Sequence, residues 1–459
     1  MTPQSVTDLR DFLKLLEERG ELRRIAVEVD PVEEIAAVTD RVCKTVGPRP
    51  ALLFENVQGH DIPVATNLFG SLKRAAWAVG LEEPEELRSR FADELKKFDG
   101  GLASDWLFWS MAEEQWQPRR MAAGACQEVV LSDPDLGRLP ALKSWPGDGG
   151  RFLTQPLVFT SDPKTGQSNC GMYRVRILDS RSAILHWLPG SGGARHYAAW
   201  QLLEKPMPVS IVLGGDPAAI FAAGVSLPEG VEELSLAGFL RGRSLETVTC
   251  LTNDLEVPAR AEFVIEGVIY PGETSLEGGF GNHTGIYDHA KPAPVLRITS
   301  LSHRQNPLYP AIVTGPPPME SGYLAKLGEK LTLALLQYDF PDIVDINQPC
   351  DTIFHGATLL SSNRQTPAGF SELVHRLWAK GPLEKSKLLV VFDAETDVQD
   401  FKTCFWKAVN RFSAEKGILV DQGRLAIDAT GLGDRPVVSG RSMLDLLAQR
   451  WREYGIDPA

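Results

Sequence analysis

Cysteine is scarce in this chain and never paired by spacing: six residues, Cys43, Cys126, Cys170, Cys250, Cys350 and Cys404, are scattered over 459 positions with no CxxC among them. A chain of this length can bury a large core without covalent staples, so a disulfide framework and a cysteine-built zinc site are both excluded, and the thiols read as reduced. HExxH is missing too, which removes the commonest helical zinc motif. Long apolar runs are absent: none approaches the ~20 residues that span a bilayer. The opening MTPQSVTDLRDF has neither the basic start nor the apolar centre of a secretory signal. No stable membrane insertion is expected, and a cytoplasmic location is. Basic residues are in the minority, 47 Lys and Arg against 60 Asp and Glu, for a net charge of -13. That balance argues against nucleic acid or an anionic membrane as partner, since either calls for clustered cations, and it favours a small substrate.

What is present is an ordinary globular composition, 43% hydrophobic and 23% charged, enough for two or three domains. Thr7 can cap a helix carrying Leu9, Phe12, Leu13 and Leu16, which Gly20 stops. Leu22, Ile25, Val27 and Val29 alternate as a strand, Asp30-Pro31 opens a second helix, and ALLFENV (51–57) is a second strand. The Trp-rich stretch from about Pro84 to Cys126 has no assignable period. From Gln127 to about Ser302 strand patterns dominate: PLVFTSD, GMYRVRIL, SAILHWL, PVSIVLG, AEFVIEGVIY and PVLRITSLS. Pro316–Pro318 marks a stiff boundary, after which Leu324, Leu327, Leu331 and Leu335 suit one helix face, LLVVFDA a buried strand, and Val398, Phe401, Phe405, Ala408, Val409 and Phe412 another helix. The closing MLDLLAQRWREYG is an amphipathic helix, expected to pack on its own domain in preference to a second subunit.

Three stretches can carry chemistry. SLEGGFGNHTG (275–285) sets one acid, Glu277, among four glycines, which suits either close approach to a bound group or a plain hairpin. In NCGMYRVR (169–176) a strand would turn Met172, Arg174 and Arg176 to one face, where the guanidinium groups need anions. A phosphate or carboxylate ligand would supply them, and so would Glu262 or Glu266 on the AEFVIEGV strand. HWLPGSGGARHY (186–197) combines glycines with Trp187, which can pack on a flat ring, and with His186 and His196, readable as metal ligands or as hydrogen-bonded structural residues. PEGVEEL (228–234) is an acidic lead into a helix, and GGDPAA a strand-to-helix turn with Pro near its first position.

Taken in order, LRDFL, NCGMYR, HWLPGSGGA, TNDLEVPA, LEGGFGNHTGIY and GRLAIDAT resemble the UbiD-type decarboxylases, which use prenylated FMN; the likeness runs from about Leu9 to Thr430. The resemblance implies a mixed α/β, multi-domain fold: an N-terminal α/β domain (1–125), a central split β-barrel that binds the flavin (126–302), a linker (303–322) and a C-terminal α/β domain with a terminal helix (323–459). It implies a divalent metal, Mn²⁺ or Mg²⁺, on Asn169 and Glu233, with K⁺ nearby. The family's metal-binding His is replaced here by Gly190. Flavin contacts carry over to Met172, Tyr173, Arg174, His186, Trp187, Leu188, Ser191 and Gly192, with Arg424 reaching the phosphate. The family's catalytic Arg-Glu-acid trio falls on Arg174, Glu277 and Asn282, so the last acid has become an amide that cannot carry a proton.

The implied activity is a reversible, non-oxidative decarboxylation of an aromatic or α,β-unsaturated carboxylic acid, with CO2 as product or co-substrate and a flavin prenyltransferase as cofactor supplier. Arg174 would stabilise charge, Glu277 act as base or proton relay, and Asn282 orient substrate. A homodimer or homohexamer is expected. The two departures, Gly190 and Asn282, also suit an impaired relative that serves as a binding or scaffolding subunit of a larger carboxylase.

Overall fold

The computed structural model describes residues 1–225, 227–228, 230–352, 356–363, 369–379, 383–384, 386–415, 417–431 and 441–455. Glu229, in the acidic PEGVEEL phrase, lies outside them. The first helix spans Leu9–Glu18, and its cap is Asp8 rather than Thr7. Asp8 accepts from Asp11 N, while Thr7 turns its own N–H and hydroxyl onto Asp11, so the two neighbours share the capping work. Strands Leu22–Val29 and Ala51–Val57 pair in parallel around the helix Glu34–Lys44. The Trp-rich stretch contains two helices, Glu85–Leu95 and Ala103–Met111. Phe91, Trp106 and Phe239 meet edge to face, so these helices are fixed by aromatic packing with a later helix, Glu233–Arg241, and not by a clean local period.

The centre is one nine-stranded sheet, antiparallel at every pairing, whose long strands are Phe263–Leu276 and Pro292–His303. Its two ends are joined by very little chain. Ser168–Met172 is an edge strand, and Val175–Asp179 lies next to the opposite edge, yet only Tyr173 and Arg174 separate them. Three peptide steps reach no more than about 11 Å, so the sheet has to curl until its far ends nearly meet. The ends do not pair with each other among the described residues, which leaves a seam rather than a closed barrel. Behind the sheet lies a core of aliphatic residues such as Val175, Leu185, Ile211, Ile265 and Leu296.

After the sheet the chain returns to the N-terminal strands, since Tyr309–Pro310 pairs with Val64–Thr66. The helix Glu320–Asp339 then serves two cores. Leu327, Leu331 and Leu335 join the N-terminal helices, and Leu333 and Leu336 join a separate core with the five-stranded C-terminal sheet, which includes Leu388–Asp393 and Arg424–Asp428. The helix Phe401–Arg411 forms at the expected spacing, but Phe405, Trp406 and Val409 on it face outward. The closing helix Arg441–Arg450 buries no residue, contrary to the expected packing on its own domain. No helix among the described residues is long and apolar enough to cross a membrane.

Candidate active site

The seam positions the charged centre. Arg174 sits in the two-residue break, His186 directly follows the strand Ser182–Leu185, and Glu277 directly follows Phe263–Leu276, so three strand ends converge. His186 N donates to Arg174 O, one rung beyond the Leu185–Val175 pair, so the two side chains start from neighbouring strand ends. Arg174 donates to Glu277 Oε1 through Nε (2.6 Å) and to Oε2 through Nη2 (2.8 Å), and through Nη1 to Asp288 Oδ2 (2.5 Å). His186 Nδ1 lies 2.8 Å from Glu277 Oε2. The guanidinium also lies over the ring of Phe280, 4.5 Å from its centroid. The two-pronged carboxylate contact is the geometry that only Arg supplies.

Glu277 has no solvent exposure. Burial by itself would raise its pKa, but the hydrogen bonds from Arg174 and His186 outweigh it and hold the group at about 2. The carboxylate is therefore a permanent anion whose charge Arg174 balances. The glycines around it are used for packing between two backbone segments. Gly278 has φ +86°, and Gly279 O accepts from Gly149 N at 2.8 Å. A Cβ on Gly281 would meet the Trp145 ring at 2.4 Å. Asp148 locks this contact by accepting from Gly281 N on one oxygen and from Ser144 N and Trp145 N on the other. SLEGGFGNHTG is thus partly a hairpin, Phe280–Gly281 against Tyr287–Asp288, and partly the seat of a buried anion.

Beside this centre opens a cavity of about 690 Å³. Seven of the residues that the family likeness assigns to flavin or metal line it: Asn169, Met172, Tyr173, Leu188, Ser191, Gly192 and Glu233, and so does Gly190. Ser191 caps the helix Gly192–Leu202 by accepting from Ala194 N, which turns that helix's N-terminus, a ready anion site, to the cavity. Asn169 is buried with its Nδ2 unpartnered, and its Oδ1 presses so close to Gly192 that a Cβ there would stand 1.8 Å away. Glu233 accepts from Cys170 N at 3.0 Å, one residue from Asn169, and burial pushes it up to about 7 despite that bond. Trp187 stacks edge-on against Tyr173, and its buried Nε1 has no partner among the described residues. Trp187 is not on the cavity wall; the orphaned amide of Asn169, two oxygen ligands, the Tyr173 ring and a helix N-terminus that are on it suit a ligand that has a flat ring and an anionic tail.

His196 also lines the cavity, but its Nδ1 lies 2.9 Å from Thr160 Oγ1, the hydrogen-bonded structural role. Among the described residues no group of three or more His, Cys, Asp or Glu side chains converges as a metal ion requires. Glu262 is taken by Arg10 and Arg304, and Glu266 by Leu251 N and Thr252 N, so neither serves the seam arginines. Arg176 donates instead to Leu276 O and Glu277 O. Arg424 stays in the C-terminal sheet, stacked on Trp378 and bonded to Asp421, and it is not among the cavity-lining residues. Among the described residues Asn282 reaches the charged centre only through Asp288, its Nδ2 donating to Asp288 Oδ1 at 2.7 Å. Asp288 and Phe280 are the residues that sequence reasoning missed. Their one signal is the two-strand hairpin, in which they stand opposite each other.

Comparison with known proteins gives matches over nearly the whole chain. Family models described as the 3-octaprenyl-4-hydroxybenzoate carboxy-lyase N-terminal, Rift-related and C-terminal domains match residues 13–93, 119–317 and 322–432. An uncharacterized protein of Archaeoglobus fulgidus is 36% identical over 464 residues, covering 98% of this chain and 93% of that protein. Among solved structures, an evolved dimeric form of the UbiD-class enzyme HmfF from Pelotomaculum thermopropionicum, in complex with prFMN, is 25% identical. It covers 95% of this chain and 97% of its own, with a TM-score of 0.78. The closed form of vanillic acid decarboxylase from Sedimentibacter hydroxybenzoicus, 24% identical over 98% of this chain and 99% of its own, shares the fold with a TM-score of 0.85.

Proposed function

The chain belongs to the UbiD family, and on that premise we propose that it catalyses the reversible, non-oxidative decarboxylation of an aromatic or α,β-unsaturated carboxylic acid with prenylated FMN. The observation that carries this reading is the cluster of Arg174 and His186 around the buried Glu277 at the seam, one residue from the cavity wall at Tyr173.

The cofactor, supplied by a flavin prenyltransferase, contributes the covalent chemistry and the electron sink. Met172, Tyr173, Trp187 and Leu188 would hold its ring system, and Ser191, Gly192 and the helix N-terminus its phosphate. Asn169 and Glu233 would offer oxygen ligands to Mn²⁺ or Mg²⁺ between protein and phosphate, a donor set suited to hard cations and completed by phosphate and water oxygens. K⁺ would neutralise what phosphate charge remains. For Arg424 to join, a phosphate would have to displace its bond to Asp421.

Arg174 is the group to receive the substrate's carboxylate and to balance charge as CO2 leaves. Glu277 keeps that arginine aligned and His186 in one tautomer, in a setting dry enough for each hydrogen bond to count. The division of the chain at 1–125, 126–302, 303–322 and 323–459 remains our working description, as does a cytoplasmic location. A homodimer or homohexamer is supported by the outward apolar rows Phe405, Trp406 and Val409, and Met443, Leu444 and Trp451, which are uncovered in one protomer.

The test is to produce the chain alongside a flavin prenyltransferase. A bound flavin spectrum, with CO2 release from some members of a panel of aromatic and acrylic acids, is expected. A colourless protein that binds neither flavin nor metal would remove the reading.

A further inference from the structure

Arg174 is held between two carboxylates of opposite character. Glu277 is fully buried, with Oε1 accepting from Arg174 and Oε2 both accepting from Arg174 and lying 2.8 Å from His186 Nδ1, so solvent does not reach it directly. Asp288 keeps 34% of its side-chain exposure. It takes one hydrogen bond on each oxygen, from Arg174 Nη1 at 2.5 Å and from Asn282 Nδ2 at 2.7 Å, and its remaining lone pairs are open to exchange.

Asn282, by contrast, spends its whole amide inside the hairpin. Its Nδ2 goes to Asp288, and its Oδ1 accepts from Thr284 N at 2.8 Å and from Thr284 Oγ1 at 2.5 Å. An amide used this way aims a neighbour, and among the described residues its hydrogen bonds all stay within the loop. The pairing Phe280↔Asp288 fixes the same aim from the backbone, since Phe280 carries the guanidinium on its ring.

We propose that Asp288 is the proton donor of this site and that Asn282 is a positioning residue that holds it. This rests on the decarboxylase reading above. When the bond to the carboxylate breaks, its electron pair stays on the substrate carbon and CO2 leaves. The O–H bond of Asp288 then breaks, its proton goes to that carbon to form C–H, and its electron pair stays on the carboxylate, where Arg174 and Asn282 stabilise it. A solvent proton restores the acid. The net change is one carboxylate and one proton in, one C–H product and one CO2 out. In the carboxylation direction the carboxylate of Asp288 takes the proton back. The charged and titratable groups around Asp288 are Arg174, Glu277 and His186 behind that arginine, and His283 within the hairpin, on whose protonation Asp288 acts favourably while burial opposes it.

The test uses the full chain, with and without co-produced flavin prenyltransferase, as parent, Asp288→Asn, Asn282→Asp and the double variant. The double variant reverses the donor and acceptor between the two positions without deleting their hydrogen bond, so it carries the test even if Asp288→Asn alone does not fold. We expect Asp288→Asn to keep its flavin spectrum and lose ~10²–10⁴-fold both in CO2 release and in deuterium uptake from heavy water, with the double variant equally low, because its acid at 282 is spent inside the hairpin; recovery in the double variant would move the donor to position 282. In the cofactor-free protein, infrared difference spectra on acidification should lose one titrating carboxyl band in Asp288→Asn and keep it in Glu277→Gln. Parent-like turnover by Asp288→Asn, or an unchanged carboxyl band, would overturn the assignment. If even the flavin-loaded parent releases no CO2 from any acid, the decarboxylase reading fails by itself, and the infrared band still decides whether Asp288 is the exchangeable carboxyl.

Discussion

Arg174 grips Glu277 with two parallel hydrogen bonds, 2.6 and 2.8 Å long, across a separation of 103 residues in sequence. Glu277 is completely enclosed, and the guanidinium, fixed over Phe280, gives it two of its nitrogens while the third goes to Asp288. Breaking such a pair leaves a buried charge behind, which costs more than the pair itself contributes.

Glu277→Gln keeps the size and removes the charge. One amide oxygen can still accept from Arg174, but the amide nitrogen turns donor against donor. Turnover should fall by at least ~10², with folding stability reduced by about 1–3 kcal/mol and flavin binding retained. Parallel measurement of CO2 release, the flavin spectrum and chemical denaturation separates these effects. Undiminished turnover would make the buried acid purely structural.

Trp187→Phe tests the orphaned indole. The edge-on contact with Tyr173 survives the change, while the buried Nε1, which has no partner among the described residues, disappears. The cofactor-free variant should be as stable as the parent or up to about 1 kcal/mol more so, and its flavin affinity should drop roughly tenfold. Titration with FMN, followed by fluorescence, measures the second effect; unchanged affinity would mean that the indole nitrogen does not contact the ligand.

Gly190→His restores a nitrogen donor next to the cavity. Open space surrounds Gly190, with nothing within 4 Å of the place a Cβ would take, but its φ of +77° favours glycine. The variant should therefore lose about 1–2 kcal/mol of stability and still retain more manganese through purification. Elemental analysis is the check. Unaltered metal content would mean that Asn169, Glu233 and the phosphate suffice.

Glu320 predicts a pH dependence away from the site. It is buried at the start of the long helix, where it accepts from Asn67 N and Phe69 N; burial pushes it up to about 7 from the ordinary 4.5, against the pull of those bonds and of Arg74. Over that interval the folded chain holds a proton that the unfolded chain has released, so stability falls as pH rises from 4.5 to about 7, by an amount on the order of 3 kcal/mol. Thermal unfolding at a series of pH values should show this slope in the parent and a flatter one in Glu320→Gln.

Local patterns were enough to read the elements that settle their own geometry. ALLFENV matches the strand Ala51–Val57 residue for residue, because its apolar run is bounded by turn residues. The helices at 85–95 and 103–111 were not legible, since their order comes from Phe239 far along the chain. At the site, the family likeness pointed to Arg174 and Glu277, and chain geometry brings them together. It could not find Asp288, because a cross-strand register decides which of several acids near a glycine-rich turn faces an arginine. The helix Phe401–Arg411 was legible from its spacing but its outward face was not, because periodicity announces an apolar stripe and is silent on what covers it.

The two-residue break at Tyr173–Arg174 has a thermodynamic consequence. Because it joins opposite ends of one sheet, whatever occupies the adjoining cavity spans a gap that no backbone ladder closes. Ligand then acts as an extra rung, present in the folded chain and meaningless in the unfolded one. The melting temperature of this protein should accordingly track flavin concentration, with ~2.7 kcal/mol gained at a hundredfold excess over the dissociation constant, so that cofactor supply sets how long each copy survives as well as how fast it works.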